Sequence, residues 1–245
     1  MDLTAYAIEA ELEEHHWWFV GRRRLFARIL EDLAVPRNAA FLDIGTSTGS
    51  NLRLLRQLGY SNVSGVDRSQ EAIDFCMTKG LGSVALGDTC DLPFENERFG
   101  VVLATDIIEH VDDDLCALKE IRRVLKPGGH AVITVPAFKI LWGLQDEAGH
   151  HKRRYRLGEL VEKVLEADLV PVRQHYFNYL LFIPILTARW LIKSLHLRIE
   201  NENTLTTPLM NRILLAIFDL DVRTAPRLRP PFGVSCLLVV ERKPP

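Results

Sequence analysis

The sequence predicts an α/β fold, a parallel sheet covered by helices on both faces, built as one domain of 245 residues. Three observations carry this. Short apolar runs alternate with helical patterns from Phe41 to Val135. The first run, FLDIGTSTG (Phe41 to Gly49), ends on an acidic residue and breaks into small ones, and the helix before the fifth run stops at Lys126-Pro127-Gly128-Gly129. Parallel strands need a crossover between them, and helices supply it at this spacing.

Taken in order, Leu25, Phe26, Ile29, Leu30 and Leu33 recur at helical spacing, which makes residues 15–34 an amphipathic leading helix. Trp17 and Trp18 at its start either lid a ligand or pack the helix onto the body. Strand Phe41 to Ile44 follows, then helix Asn51 to Leu58, strand Val63 to Val66 ending in Asp67, and helix Gln70 to Lys79. Ser83 to Leu86 gives a third strand before the polar loop GDTCDLPFENERFG, and Val101 to Ala104 a fourth. Helix Asp113 to Leu125 precedes strand His130 to Val135. Beyond residue 156 the pattern changes to helix Leu157 to Ala167, a strand near Val170 to Asn178, apolar helical stretches at 180–197 and 208–219, and a final strand Val234 to Glu241. The expected layout is a helical cap (1–38), a cofactor-binding core (39–178), a helical insertion or lid (179–232) and the last strand (233–245).

Composition narrows the setting. With 47% hydrophobic and 25% charged residues the chain can bury one sizeable core. The net charge of −2 hides an asymmetry: residues 1–150 carry 15 basic and 23 acidic side chains, residues 151–245 carry 15 and 9. An anionic partner for the C-terminal part is implied. Four dispersed cysteines without zinc or CxxC spacing, and an acidic N-terminus unlike a signal peptide, point to the cytoplasm. The longest uncharged run, Gln174 to Ala188, is too short to span a bilayer, though it suits a peripheral contact.

Asp43 ends strand one and Asp67 ends strand two, so both carboxylates belong to one crevice at the carboxyl ends of the strands, where open α/β sheets bind ligands. An acid ending strand two suits a ribose diol. The first loop lacks the third glycine of GxGxxG, which disfavours a bound pyrophosphate and a nicotinamide oxidoreductase and favours a nucleoside without phosphates.

LDIGTSTG, GVDRSQEAI, GDTCDLPF, VVLATDIIEHV and LKPGGHAVITVP, in this order, resemble the class I S-adenosylmethionine-dependent methyltransferases. The resemblance implies the Rossmann-like fold of that family, with seven strands, the last antiparallel, and S-adenosylmethionine as cofactor. It places Asp43, Gly45 and Gly49 under the methionine part, Asp67 on the ribose, and Asp88 with Thr89 at the adenine. Thr46, Ser47, Arg68 and Thr105 complete the expected cofactor-binding set. Ser47 stands where the family usually has a glycine.

Methyl transfer from a sulfonium needs alignment and dryness, plus a base where the acceptor has a proton to lose. His110, and His151 with Tyr155 in the run GHHKRRY, are the candidate bases. Asp106, Glu109 and His110 stand at i, i+3 and i+4. With His151 they resemble the metal site of O-methyltransferases acting on quinone-type or RNA hydroxyls, which would hold Mg2+ and lower the acceptor's pKa. The alternative is Glu-His packing without metal. Lys152, Arg153, Arg154 and Arg156 either grip an anionic group or pair with Glu159 and Glu162.

The expected activity is methyl transfer to oxygen or nitrogen of a small-molecule, glycan or lipid-linked acceptor, with RNA disfavoured by the acidic balance. A cofactor-binding module without catalysis is the non-enzyme alternative. The apolar segment 179–220, with Arg189, Lys193 and Arg198 beside it, suits a lid, a homodimer surface or a peripheral membrane contact.

Overall fold

The computed structural model describes residues 3–195 and 207–244. Two helices, α1 (Leu3–His15) and α2 (Trp17–Asp32), precede β1 (Phe41–Ile44). Then come α3 (Ser50–Gln57), β2 (Val63–Asp67), α4 (Gln70–Thr78), β3 (Val84–Leu86), β4 (Phe99–Thr105), α5 (Asp114–Val124) and β5 (Leu125–Pro136). The chain continues through α6 (Leu144–Ala148), α7 (Leu157–Glu166), β6 (Val170–Phe177), α8 (Phe182–Ser194) and α9 (Pro208–Leu228) to β7 (Ser235–Glu241). The seven strands lie in the order β3-β2-β1-β4-β5-β7-β6, with β7 antiparallel to both neighbours. The expected sheet is therefore present.

Between β1 and β4 the winding reverses, which opens a crevice at their carboxyl ends. Strand alternation divides the core between two faces. Leu42, Ile44, Val102 and Ile133 meet α5 and α7 through Leu118, Ile121, Leu160 and Val164. On the other face Phe41, Val101, Leu103 and Val132 meet α2, α3 and α9 through Phe26, Ile29, Leu55 and Phe218.

Some boundaries differ from the sequence reading, each for a physical reason. The strand expected from His130 begins at Leu125, because Leu125 pairs with Phe99 before the Pro-Gly-Gly irregularity. Arg242 donates to the carbonyls of Arg122, Arg123 and Leu125 there, satisfying groups the helix end leaves open. The expected helical cap (1–38) is two helices rather than the single leading helix 15–34, and the first, α1, packs Tyr6 and Ala10 on Ala72 and Phe75 of α4. The expected helix 180–197 ends at Ser194, and its tail with Arg198 lies outside the described residues.

Trp17 and Trp18 are packing residues. Trp18 stacks on Phe177 at 6.0 Å, and both indoles meet Phe218 of α9 edge-on. Gly21 makes the close approach possible, since a Cβ there would lie 2.4 Å from the Phe218 ring. Helix α9 buries Phe218, Asp221, Val222 and Ala225, whereas α8 buries nothing and leaves Ile183, Trp190 and Leu191 exposed. The insertion is thus core on α9 and surface on α8. Among the described residues no helix is long and apolar enough to cross a membrane.

Asp221 ties α9 to the turn after β6. Its fully buried carboxylate accepts from the backbone N–H of Asn178 (2.7 Å) and of Leu180 (2.9 Å), and burial pushes its pKa up to about 6. Asp221→Ala leaves two N–H groups without a partner and is expected to cost about 2–4 kcal/mol in a urea titration; Asp221→Asn, which keeps an acceptor, costs less.

Candidate active site

The loop from β1 to α3 takes three left-handed residues, Gly45 (φ +73°), Ser47 (φ +45°) and Gly49 (φ +80°). A Cβ on Gly45 would stand 2.1 Å from Ile107 and one on Gly49 2.4 Å from Leu81, so both glycines are required. At Ser47 an L-residue holds a conformation that costs roughly 1–2 kcal/mol, which accounts for the glycine usual there. The loop is anchored against this strain: Ser47 N–H donates to Asp67 Oδ2 at 2.9 Å, and the Cys76 thiol donates to the Ser47 carbonyl.

Asp67 Oδ1 also accepts from Ser69 N–H at 2.9 Å. Each oxygen thus carries one backbone donor and keeps a further lone pair for a ligand. Asp43 is almost fully buried. Its Oδ1 accepts from the Asn51 amide at 2.9 Å, and the same amide donates to Thr105 Oγ1 at 3.1 Å, so Asn51 bridges the ends of β1 and β4. Asp43 Oδ2 is buried without a partner, and burial, with Asp67 nearby, pushes the carboxyl up to about 7. A cationic ligand group fits that orphaned oxygen.

Other expected cofactor residues fall into two groups. Buried Thr46 spends its hydroxyl on the carbonyls of Asp43 and Val66. Asp88 and Arg68 are exposed beside the crevice and Thr89 is half-buried, with Asp88 Oδ1 accepting from Cys90 N–H. Helix α1 adds what the sequence did not reveal. Tyr6 donates to Ser69 and Glu13 accepts from Thr48, while Glu14 pairs with Arg53, so α1 lies over the glycine loop. Glu9, beside Ser47, is pushed up to about 7 by burial and by Glu13.

On the acceptor side the expected cluster forms only in part. Glu109, His110 and His151 bring ligand atoms within 4.8 Å of one another, and the two imidazoles meet edge to face at 4.6 Å. Asp106 stays out. The segment is a single 3-10 turn, Ile108–His110, rather than an α-helix, and Asp106 sits before it at φ +56° with its carboxylate 2.7 Å from Arg22. Glu109 is fully buried with both carboxylate oxygens unpartnered, and burial and Asp106 raise its pKa well above the usual range. Burial and His151 push His110 down to about 4, so its imidazole is neutral at pH 7.

His151 is oriented by Asp146, whose Oδ1 lies 2.9 Å from Nδ1. Arg154 grips Asp146 with two bonds, 2.7 and 2.9 Å, and Arg189 of α8 stands 3.8 Å away. Against the penalty of burial, the bonds from His151 and Arg154 hold Asp146 well below the usual carboxylate range. A carboxylate behind a histidine fixes the tautomer and leaves Nε2 for chemistry. Asn51, Arg22 and Asp146 were missed by sequence reasoning, and Arg154, singled out as a grip for an anionic group, holds the carboxylate of Asp146 instead. The polar residue opening α3 just after the loop was the one available signal.

Three expectations are corrected. Tyr155 is buried and donates to Asp114 Oδ2 at 2.8 Å; burial and that carboxylate raise its pKa, so its proton is held rather than ready to exchange with an acceptor. The basic run pairs with neither Glu159 nor Glu162 side chain to side chain. Lys152 pairs with Asp112, Arg153 with Asp114 and Arg154 with Asp146, while Glu159 accepts from the Arg156 backbone N–H. The donor set of two imidazoles and one carboxylate also does not suit Mg2+, a hard ion that prefers oxygen ligands and water, but matches a borderline ion such as Zn2+.

Comparison with known proteins agrees with this geometry. The family model described as Methyltransferase domain matches residues 42–133. Demethylmenaquinone methyltransferase of Staphylococcus aureus (strain JH9) is 33% identical over 144 residues, covering 54% of this chain and 57% of that protein. The chain thus matches little more than half the length of that relative. Among solved structures, a chain from the complex of the Haloferax volcanii Trm112 methyltransferase activator with a methyltransferase aligns at a TM-score of 0.65 and 21% identity, over 99% of this chain and 96% of that one. Phosphoethanolamine N-methyltransferase 2 of Haemonchus contortus, in complex with S-adenosyl-L-methionine, aligns at 0.61 and 18% identity over 90% of this chain and 52% of that one. Residues 42–133, which run from β1 to β5 and carry Asp43 and Asp67, thus match a methyltransferase domain, and the chain as a whole shares the Rossmann-like fold of these solved methyltransferases.

Proposed function

We propose that the protein binds S-adenosylmethionine at the carboxyl ends of β1, β2 and β4 and transfers its methyl group to oxygen or nitrogen of a separate acceptor. The observation that carries this reading is the buried Asp43 carboxylate with one oxygen unpartnered, beside an Asp67 that keeps capacity for a diol. When bound, the cofactor supplies a methyl group activated on a sulfonium. Asp43 and Asp67 complement its positive charge and its ribose, and Gly45 and Gly49 let the backbone come close. Asp88 and Thr89 stand for the adenine edge, with Arg68 and Thr105 at the margins. Neutral His110 accepts the proton that a hydroxyl or ammonium acceptor must lose, and Asp146 keeps His151 in place beside it.

The acceptor is proposed to be a small molecule, a glycan or a lipid-linked compound. Arg189 connects Asp146 to α8, whose exposed Ile183, Trp190 and Leu191 support an apolar acceptor and a cytoplasmic protein in peripheral contact with the membrane; a homodimer would use the same face. The relative named for demethylmenaquinone keeps a quinone among the candidates. A second reading rests on Glu109, His110 and His151: a borderline divalent ion held there would position the acceptor oxygen.

Turnover of methyl-labelled S-adenosylmethionine against fractionated cell extract tests both readings. Label is expected in a fraction soluble in organic solvent, and none in any fraction would leave only a cofactor-binding module. Loss of turnover with a chelator, restored by Zn2+, supports the ion; indifference removes it.

The pH dependence of cofactor affinity gives an independent check. In the free site Asp43 titrates near 7, and a cationic cofactor favours its ionised form. Affinity is therefore expected to fall as pH drops below about 7, by at most about tenfold per unit. Asp43→Asn should flatten the profile in calorimetry. Stability has the opposite sign. Because the folded pKa lies above the free-chain value, the contribution of Asp43 is fully present below about pH 4 and is lost as pH rises through about 7.

A further inference from the structure

On the sheet face that carries α2 and α9, these helices and strands β6 and β7 line an open cavity of about 580 Å³. The volume suits a small organic molecule. It is not part of the crevice: no residue from the loop after β1, from β2 or from the Glu109 cluster lines it. Its floor is apolar, with Ile29 and Leu237 among the lining residues, and its walls are basic.

Four arginines line it, Arg28, Arg173, Arg223 and Arg227, against one carboxylate, Asp32. Arg173 neutralises that carboxylate at 2.9 Å. Among the described residues Arg28, Arg223 and Arg227 make no ion pair, and Arg28 Nη1 is buried without a hydrogen-bond partner. Arg223 and Arg227 stand four residues apart on α9, so they project from one side of the helix. At the cavity lies His175, only 3% exposed, whose Nε2 also has no partner. Burial, with Arg173 and Arg229 nearby, keeps that imidazole neutral at pH 7. Unpaired guanidiniums around a hollow repel one another and are satisfied by an anion that takes their donors in pairs. Three of them match a dianionic phosphate monoester better than a single carboxylate, and the apolar floor matches a hydrocarbon body. Arg173, Arg223 and Arg227 also belong to the basic C-terminal part whose charge implied an anionic partner.

We propose that this cavity is a second binding site, separate from the methyl-transfer crevice, for a phosphate monoester with an apolar body. Arg28, Arg223 and Arg227 hold the head, and His175 Nε2 supplies the buried polar contact.

Calorimetry with octyl phosphate below its micelle concentration tests it on the full chain. Saturable binding at one site is expected, at least tenfold weaker in R223Q/R227Q and in R28Q, and within twofold of wild type in K119Q/K126Q, which removes equal charge elsewhere. H175Q, checked by thermal melting, should weaken it further if folded. Asp67→Ala should leave it unchanged, so failure of the cofactor reading and failure of this one are separable. Inorganic phosphate should bind more weakly than octyl phosphate, and equal affinity would overturn the apolar part of the site. Binding to phosphatidylglycerol vesicles that octyl phosphate cannot compete away, no saturable octyl phosphate binding, or equal losses in K119Q/K126Q would reduce the effect to surface charge and overturn the site.

Discussion

Asp67→Ala is expected to lower affinity for S-adenosylmethionine by at least about 100-fold, roughly 2.7 kcal/mol, with the fold retained. The size follows from two losses at once. The side chain removed carries the lone pairs proposed for the ribose diol, and hydrogen bonds to a charged group contribute about 1.5–3 kcal/mol each. It also anchors Ser47 and Ser69 through their backbone N–H groups. Without that anchor Ser47 has less to hold it at φ +45°, and the loop relaxes away from the geometry that admits a ligand. Asp67→Asn retains one acceptor oxygen and should fall between wild type and alanine. Calorimetry reads the affinities and a thermal melt confirms folding; an undiminished affinity in the alanine variant would take the diol-binding role away from Asp67.

His110→Ala is expected to reduce kcat by about 10²- to 10⁴-fold, the usual range for loss of a positioned base, while cofactor affinity stays within about threefold. The split arises because His110 lies with His151 and Glu109, away from the hydrogen bonds that hold Asp43 and Asp67. His151→Ala should act in the same direction, and the double variant should lose little more than the worse single one, since residues working as a unit are not additive. Loss of cofactor binding in proportion to kcat would instead make His110 a scaffold residue. Steady-state kinetics beside calorimetry separates the outcomes.

The two crevice acids were legible because each ends an apolar run and precedes a break, a pattern that depends on neighbours in sequence. The rest of the site depends on contacts the chain makes at long range. Asp146 lies in LQDEAG, which reads as a solvated loop, and becomes central only when Arg154 and His151 fold back on it. Asp106 was expected in the cluster and stands outside it for a local reason: nothing in its identity signals a left-handed backbone, so the helical spacing that joined it to Glu109 did not hold. The cover that α1 lays over the glycine loop was hidden too, because Glu13 and Thr48 carry no periodic signature linking them. The parallel sheet followed from alternation, and the antiparallel seventh strand from family resemblance.

The interlock of Gly21 with Phe218 bears on how the protein is made. The apolar stripe of α2, with Leu25, Phe26 and Ile29, leaves the ribosome before its partner on α9, since Phe218 is translated 197 residues after Gly21. At about 5–20 residues per second, that stripe waits roughly 10–40 s for the helix that covers it. During that interval the apolar face of α2 is uncovered, and this side of the core is completed only when α9 arrives.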